Sequence, residues 1–267
     1  MTIDGLLRLA LIDPLEARIL LSHALNCSRV QLVIRSQDEL TPQQVTEVSA
    51  LFMRRMQGEP IAYLTGEREF YGLAFEVTPD VLIPRHETEL LVELGIERLP
   101  KGGSALDLGT GSGAIAVSLA HARRDVRVTA ADVSEPALAV ARRNAARHAP
   151  VRFIHSDWYA HIDGQYDLIV SNPPYIAASD SHLSQGDLRF EPRSALTDGA
   201  NGMMHIAAIT DGAPRRLQAD GWLLMEHGHD QAAAVRALLQ KSGWRNVQSW
   251  QDLAGIERVS GGQRPPN

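Results

Sequence analysis

Apolar residues recur along the first sixty positions at helical spacing. Ala17, Ile19, Leu20, Leu21, Ala24 and Leu25 form a broad stripe, as expected of helices that bury one face in a small bundle. Asp13-Pro14-Leu15-Glu16 offers an N-cap acid, a proline at the first helical position and a glutamate spaced for a capping box. Thr41-Pro42-Gln43-Gln44 repeats the signature ahead of a helix ending near Gln57-Gly58. The period then changes to two: Glu67-Arg68-Glu69-Phe70 and Leu73-Ala74-Phe75-Glu76-Val77 alternate about Tyr71-Gly72, which predicts a hairpin. With Pro79 behind it, the pattern predicts a helical domain over residues 1–66, a hairpin linker over 67–80 and a larger domain over 81–267.

From Lys101 onward strand and helix patterns alternate. Strands are expected at 105–108, 126–132, 151–155, 166–171, 222–226 and 247–250, and helices at 114–121, 135–146, 204–217 and 231–242. Such alternation implies an α/β fold whose mostly parallel sheet is covered on both faces and binds ligands at the carboxyl ends of its strands. The helix at 231–242 should return strand 247–250 parallel to the others. The interval 253–256 is too short for another crossover, so 257–260 should run back antiparallel. That would leave Gly261-Gly262-Gln263 at the edge of the sheet opposite the loop after residue 171, out of reach of that loop within one chain.

Composition narrows the class. The 267 residues are 44% hydrophobic and 22% charged, ordinary for a soluble protein. No apolar run approaches the roughly 20 residues that span a bilayer, and the start lacks the basic stretch of a signal peptide, so a cytoplasmic protein without membrane contact is expected. A single cysteine, Cys27, allows no internal disulfide and reads as a small packing residue. The net charge of −6 and pI near 5.9 argue against direct nucleic-acid binding, which needs clustered Lys and Arg.

Against that background the glycine turn Asp107-Leu108-Gly109-Thr110-Gly111-Ser112-Gly113 stands out between the larger domain's first strand and helix. Glycines let backbone approach a ligand closely. The third glycine comes two residues after the second, where the dinucleotide fingerprint wants three, so nicotinamide is disfavoured. Asp132 ends the next strand, where an acid binding ribose hydroxyls would lie; capping the helix after Ser134 is the alternative. Asp107 is placed to bond the loop or an amino group. Ser156-Asp157-Trp158 follows the third strand, where a tryptophan can cover an aromatic ligand or simply fill the core.

Asn172-Pro173-Pro174-Tyr175 follows the fourth strand. Consecutive prolines carry no N–H and stiffen the backbone, leaving the Asn172 side-chain oxygen and the Pro173 carbonyl as fixed acceptors. Two such acceptors suit a planar group with two N–H bonds, such as an amide, and would orient its lone pair, while Tyr175 offers a flat face for stacking. Elsewhere, Glu226-His227-Gly228-His229-Asp230 has too few well-spaced ligands for a metal and reads as a polar loop beside the cleft. Glu191 and Arg193 are expected to pin the loop after Tyr175 as a pair.

These residues resemble the N-P-P-Y methyltransferases, which modify planar nitrogens. Gly58-Glu59-Pro60-Ile61-Ala62-Tyr63-Leu64-Thr65-Gly66, Phe70-Tyr71-Gly72, Ile83-Pro84-Arg85 with Thr88-Glu89, Glu191-Pro192-Arg193 and Asp252-Leu253-Ala254-Gly255 extend the likeness over nearly the whole chain, to the release factor glutamine methyltransferases. The resemblance implies a Rossmann-like class I fold with a mostly parallel seven-stranded sheet, its last strand antiparallel, preceded by a small all-α domain that helps hold the release factor. It implies S-adenosyl-L-methionine as cofactor, contacted by Gly109, Thr110, Gly111, Ser112, Gly113, Asp132, Trp158 and Asn172. The glutamine of a release factor's Gly-Gly-Gln motif would meet Asn172, Pro173, Pro174 and Tyr175, in support of translation termination, with the enzyme a monomer. A ribosomal-protein glutamine methyltransferase, a DNA or RNA amino-methyltransferase and a non-enzymatic cofactor-binding module remain as alternatives.

Overall fold

Capping side chains start the N-terminal helices in the computed structural model, which describes residues 1–265. Thr2 accepts from the Gly5 N–H at the head of α1 (Ile3–Leu9), and Asp13 from those of Leu15 and Glu16 at the head of α2 (Pro14–Ala24). Ser28 and Gln31 form a reciprocal box on α3 (Arg29–Ile34), as Thr41 and Gln44 do on α4 (Pro42–Met56). The box expected at Asp13 is not made. Glu16 turns instead to Arg55, whose guanidinium reaches its two carboxylate oxygens at 2.7 and 2.8 Å. A bidentate charged partner on a neighbouring helix outweighs one return bond to a cap. With α5 (Ile61–Thr65), these helices enclose Ile3, Leu20, Leu21 and Val48, and Cys27 lies half-buried at the margin of that core.

The chain's contacts divide it into Met1–Glu67 and a larger unit from Arg68 on. Strands β1 (Glu67–Phe70) and β2 (Leu73–Glu76) turn through Tyr71 and Gly72, both at positive φ, the conformation of a two-residue hairpin. Phe70 and Phe75 meet edge to face at 6.0 Å and are fully buried in the larger unit's core. After α6 (Glu89–Arg98) come β3 (Ser104–Leu108), α7 (Ala114–Ala122), β4 (Arg127–Asp132), α8 (Glu135–His148), β5 (Arg152–His155) and β6 (Tyr166–Ser171). A short helix α9 (Arg193–Leu196) precedes α10 (Met204–Gly212), β7 (Leu217–Glu226), α11 (Ala232–Lys241), β8 (Arg245–Gln251) and β9 (Glu257–Gln263).

The main sheet has the order β5-β4-β3-β6-β7-β9-β8, with β9 antiparallel to both neighbours and the rest parallel. Side chains alternate between its faces. Ala105, Leu168, Val170 and Leu224 join the core beneath α6 and α7, while Leu106, Leu108, Ile169, Leu223 and Met225 join the one formed with α10 and α11.

Strand directions agree with the sequence pattern, but two expectations need correction. The helix expected over 204–217 ends at Gly212, where Ala213-Pro214-Arg215 tightens into a 3₁₀ turn, and Leu217 already pairs with Tyr166. Pro214 removes the N–H that the next helical turn would need. The final strand runs antiparallel and carries Gln263 away from residue 172, as expected, but it does not stop at residue 260. It lies between β7 and β8 and extends through Gly261, Gly262 and Gln263, which pair with Leu224, Leu223 and Trp222. Gln263 therefore sits at the amino ends of the parallel strands, the opposite end from residue 172.

Candidate active site

The carboxyl ends of β3, β4 and β6 open into a cavity of about 470 Å³, a size usual for small-molecule sites. Gly109, Thr110, Gly111, Ser112, Asp132, Trp158, Asn172 and Pro174 all line it. The far wall comes from the segment after the hairpin, including Pro79, Leu82, Arg85 and Thr88. Pro173 and Tyr175 line a smaller adjoining hollow of about 60 Å³, which shares Asn172 and Arg85 with the first.

The glycine turn is shaped for close approach. Gly111 has φ +55, and a Cβ there would meet nothing within 4 Å, so its backbone faces open space. Gly113 is outside the lining and serves packing: a Cβ there would lie 3.1 Å from the Ala141 Cβ, and φ is +83. Asp132 fixes the turn by accepting from Gly111 N–H at 2.8 Å through one oxygen and from Ser134 N–H at 2.9 Å through the other. The helix cap itself is Ser134, which takes the Ala137 N–H. Each Asp132 oxygen keeps acceptor capacity beyond these bonds. Burial raises its pKa, opposed by backbone N–H bonds from Ser134, Gly111 and Val133.

Asp107 lies wholly buried below the turn. Its Oδ2 accepts from the Thr110 hydroxyl at 2.6 Å, and its Oδ1 has no partner. Burial pushes this carboxyl up to about 7, against the Thr110 bond, and the neighbouring Asp132 charge adds to the rise. A donor-rich, cationic ligand group would relieve both acids. Trp158, held in the left-handed region at φ 44, has its carbonyl bonded by Ser156 Oγ at 2.9 Å, and its ring lies 5.2 Å from that of His205. It both lines the cavity and packs on the core. An apolar rim, a fixed carboxylate beside a glycine turn and an orphaned buried oxygen fit S-adenosyl-L-methionine, with its adenine, ribose diol and charged amino-acid group.

The 172–175 loop is anchored from several sides. Ser171 Oγ bonds the Leu108 carbonyl at 2.7 Å, Ile176 N–H the Leu196 carbonyl at 2.9 Å, and Gln231 Nε2 the Tyr175 carbonyl at 3.0 Å. Asn172 donates through Nδ2 to Thr88 Oγ1 at 3.2 Å, which leaves Oδ1 free to accept. The Tyr175 hydroxyl bonds Glu226 at 3.1 Å, and burial, then the Glu226 charge, raises its pKa.

The pair expected between Glu191 and Arg193 is absent, because Arg193 is exposed. Glu191 is buried, accepts from Ile83 N–H at 3.0 Å and pairs with Arg85, stapling the cavity's far wall. Thr88 and Arg85 stood in motifs legible in the sequence, though without a role; His205 carried no signal. In the 226–230 segment, His227 is buried against Ser260 at 2.7 Å while His229 is exposed, so the two do not converge. Among the described residues no group of three or more His, Cys, Asp or Glu could hold a metal, and no helix is long and apolar enough to cross a membrane.

Residues 86–199 match the family described as Methyltransferase small domain, and residues 6–66 the family described as PrmC N-terminal domain. A release factor glutamine methyltransferase of Burkholderia pseudomallei is 54% identical over 99% of this chain and 96% of its own. One of Neisseria gonorrhoeae is 50% identical over 98% of each. Among solved structures, a methyltransferase of Pyrococcus furiosus aligns with a TM-score of 0.57 at 22% identity, over 82% of this chain and 100% of that one, a likeness of fold alone.

Proposed function

The chain belongs to the release factor glutamine methyltransferases, and on that premise we propose that the 172–175 loop holds the side-chain amide of the Gly-Gly-Gln glutamine in a peptide chain release factor. The enzyme transfers a methyl group from S-adenosyl-L-methionine to that amide nitrogen. The observation that carries the site assignment is the Asn172 amide, whose Nδ2 is committed to Thr88 and whose Oδ1 is not.

When bound, S-adenosyl-L-methionine supplies an electrophilic methyl group on a positively charged sulfur. Asp132 would accept from the ribose hydroxyls and the backbone of Gly109, Thr110, Gly111 and Ser112 would pass close beneath the ligand. Gly113 would act beneath them, seating α7, and Trp158 would cover one side. An amide nitrogen shares its lone pair with the carbonyl and is a poor nucleophile. Asn172 Oδ1 and the Pro173 carbonyl would accept its two N–H bonds, turn the lone pair toward the cavity and favour a pyramidal nitrogen. Pro173 and Pro174 stiffen the loop so that little reorganisation is needed. Tyr175, its hydroxyl tied to Glu226, would wall the adjoining hollow rather than act as an acid or base. The N-terminal helical unit would help hold the release factor, and the enzyme would act as a monomer without nucleic acid.

The test is to incubate the protein with labelled S-adenosyl-L-methionine and a release factor, then map the label by mass spectrometry. One methyl group on the Gly-Gly-Gln glutamine is expected. Label on a ribosomal-protein glutamine or a nucleic-acid base, with the release factor unlabelled, would overturn the substrate assignment.

A further inference from the structure

Glu226 ends β7 with its side chain only 1% exposed. The parallel ladder pairs Ser171 with Met225, so Glu226 follows beside Asn172, and across the sheet it pairs with Val259. Its Oε1 accepts from the Tyr175 hydroxyl at 3.1 Å, while Oε2 makes no full hydrogen bond. Burial pushes its pKa up to about 7, countered by the Thr88 and Tyr175 hydroxyls and the Arg258 charge from β9, with Glu87 adding to the rise. Of the two hydroxyls, Thr88 favours the ionised carboxylate more, although it makes no full hydrogen bond to Glu226. A buried orphan oxygen beside a hydroxyl calls for an explanation.

The explanation lies in the symmetry of an amide. The O and NH₂ ends of Asn172 have nearly the same shape, so only its neighbours decide which end faces the substrate. Thr88 alone cannot decide, because a hydroxyl both donates and accepts. Once its proton is engaged elsewhere it can only accept, and the NH₂ end of Asn172 must then face it. An ionised carboxylate, which only accepts, enforces that state.

We propose that Glu226 is a positioning residue: its carboxylate accepts from Thr88, which restricts Thr88 to accepting from Asn172 Nδ2 and locks Asn172 Oδ1 toward the substrate amide. The same carboxylate holds Tyr175, so one buried group ties both ends of the 172–175 loop. This rests on the reading of Asn172 as an acceptor for the amide.

The experiment compares Glu226→Gln, Thr88→Val, Thr88→Ser and the Glu226→Gln/Thr88→Val double variant with wild type. It measures kcat, KM for the release factor and cofactor affinity. The amide introduced by Glu226→Gln can donate to Thr88 and release the Thr88 proton to the wrong end of Asn172, while Thr88→Val removes the relay. Each should lower kcat roughly ten- to a hundredfold, with KM and cofactor affinity within about twofold of wild type. Thr88→Ser keeps the hydroxyl and should stay near the wild-type kcat. Because the two residues act in series, the double variant should fall no further than the worse single one. Wild-type kcat in Glu226→Gln, or losses that multiply in the double variant, would overturn the proposal. If Glu226→Gln does not fold, equal kcat in Thr88→Val and Thr88→Ser overturns it instead. Asn172→Ala, assayed alongside, separates the two levels. Activity lost there but kept in Glu226→Gln removes only this inference, whereas activity kept in Asn172→Ala removes the reading beneath it.

Discussion

Asp132 is held by the Gly111 and Ser134 N–H groups, so its carboxylate is fixed in place before any ligand reaches it. Replacing Asp132 with Ala removes charge-assisted bonds worth on the order of 1.5–3 kcal/mol each. Cofactor affinity measured by calorimetry should fall at least about tenfold while the far-ultraviolet circular dichroism stays unchanged. Unaltered affinity would reduce Asp132 to a brace for the glycine turn. Single residues were unevenly legible in the sequence. Asp132, the glycines and Asn172 announced themselves because each sits at the carboxyl end of a strand, where position alone confers access. Tyr175 was read from its motif, but its setting was not legible: its hydroxyl is committed to Glu226, at the end of a strand formed much later in the chain. Local pattern cannot show such a partner.

At the level of elements, α7 starts on Gly113 in the left-handed region, with Ala141 of α8 against the place a side chain would occupy. Gly113→Ala should cost about 1–3 kcal/mol through backbone strain and overpacking. Denaturant unfolding would read this as a lower midpoint at unchanged slope, and an unchanged midpoint would mean that α7 can shift off α8. Helices and strand directions were legible because their periods differ. The neighbour order was not, since hydrophobic pattern gives each strand's direction but not whether β9 borders β8 alone or inserts beside β7. The overlong helix at 204–217 was an error of the same origin: the apolar stripe runs on to Leu217 although Pro214 has already ended the hydrogen bonding.

At the scale of the whole molecule, among the described residues burial raises the pKa of two acids to about 7, Asp107 and Glu226. In the unfolded chain both ionise near the usual carboxylate range. The stability they contribute is therefore full below about pH 4 and is lost as the pH rises toward about 7. The ligand-free Glu226→Gln variant should match wild type in Tm near pH 4, exceed it increasingly toward about pH 7 and keep a constant lead above that. A constant difference across that range would mean that Glu226 does not titrate in it. The fold as a whole serves the 172–175 loop, bringing the glycine turn, Asp132 and Thr88 around one amide side chain. The most direct test is turnover of Asn172→Ala on a release factor, measured together with its cofactor affinity. The account predicts turnover lower by roughly a hundredfold or more, with cofactor affinity largely kept. A folded Asn172→Ala protein that methylates the glutamine at close to the wild-type rate would contradict it.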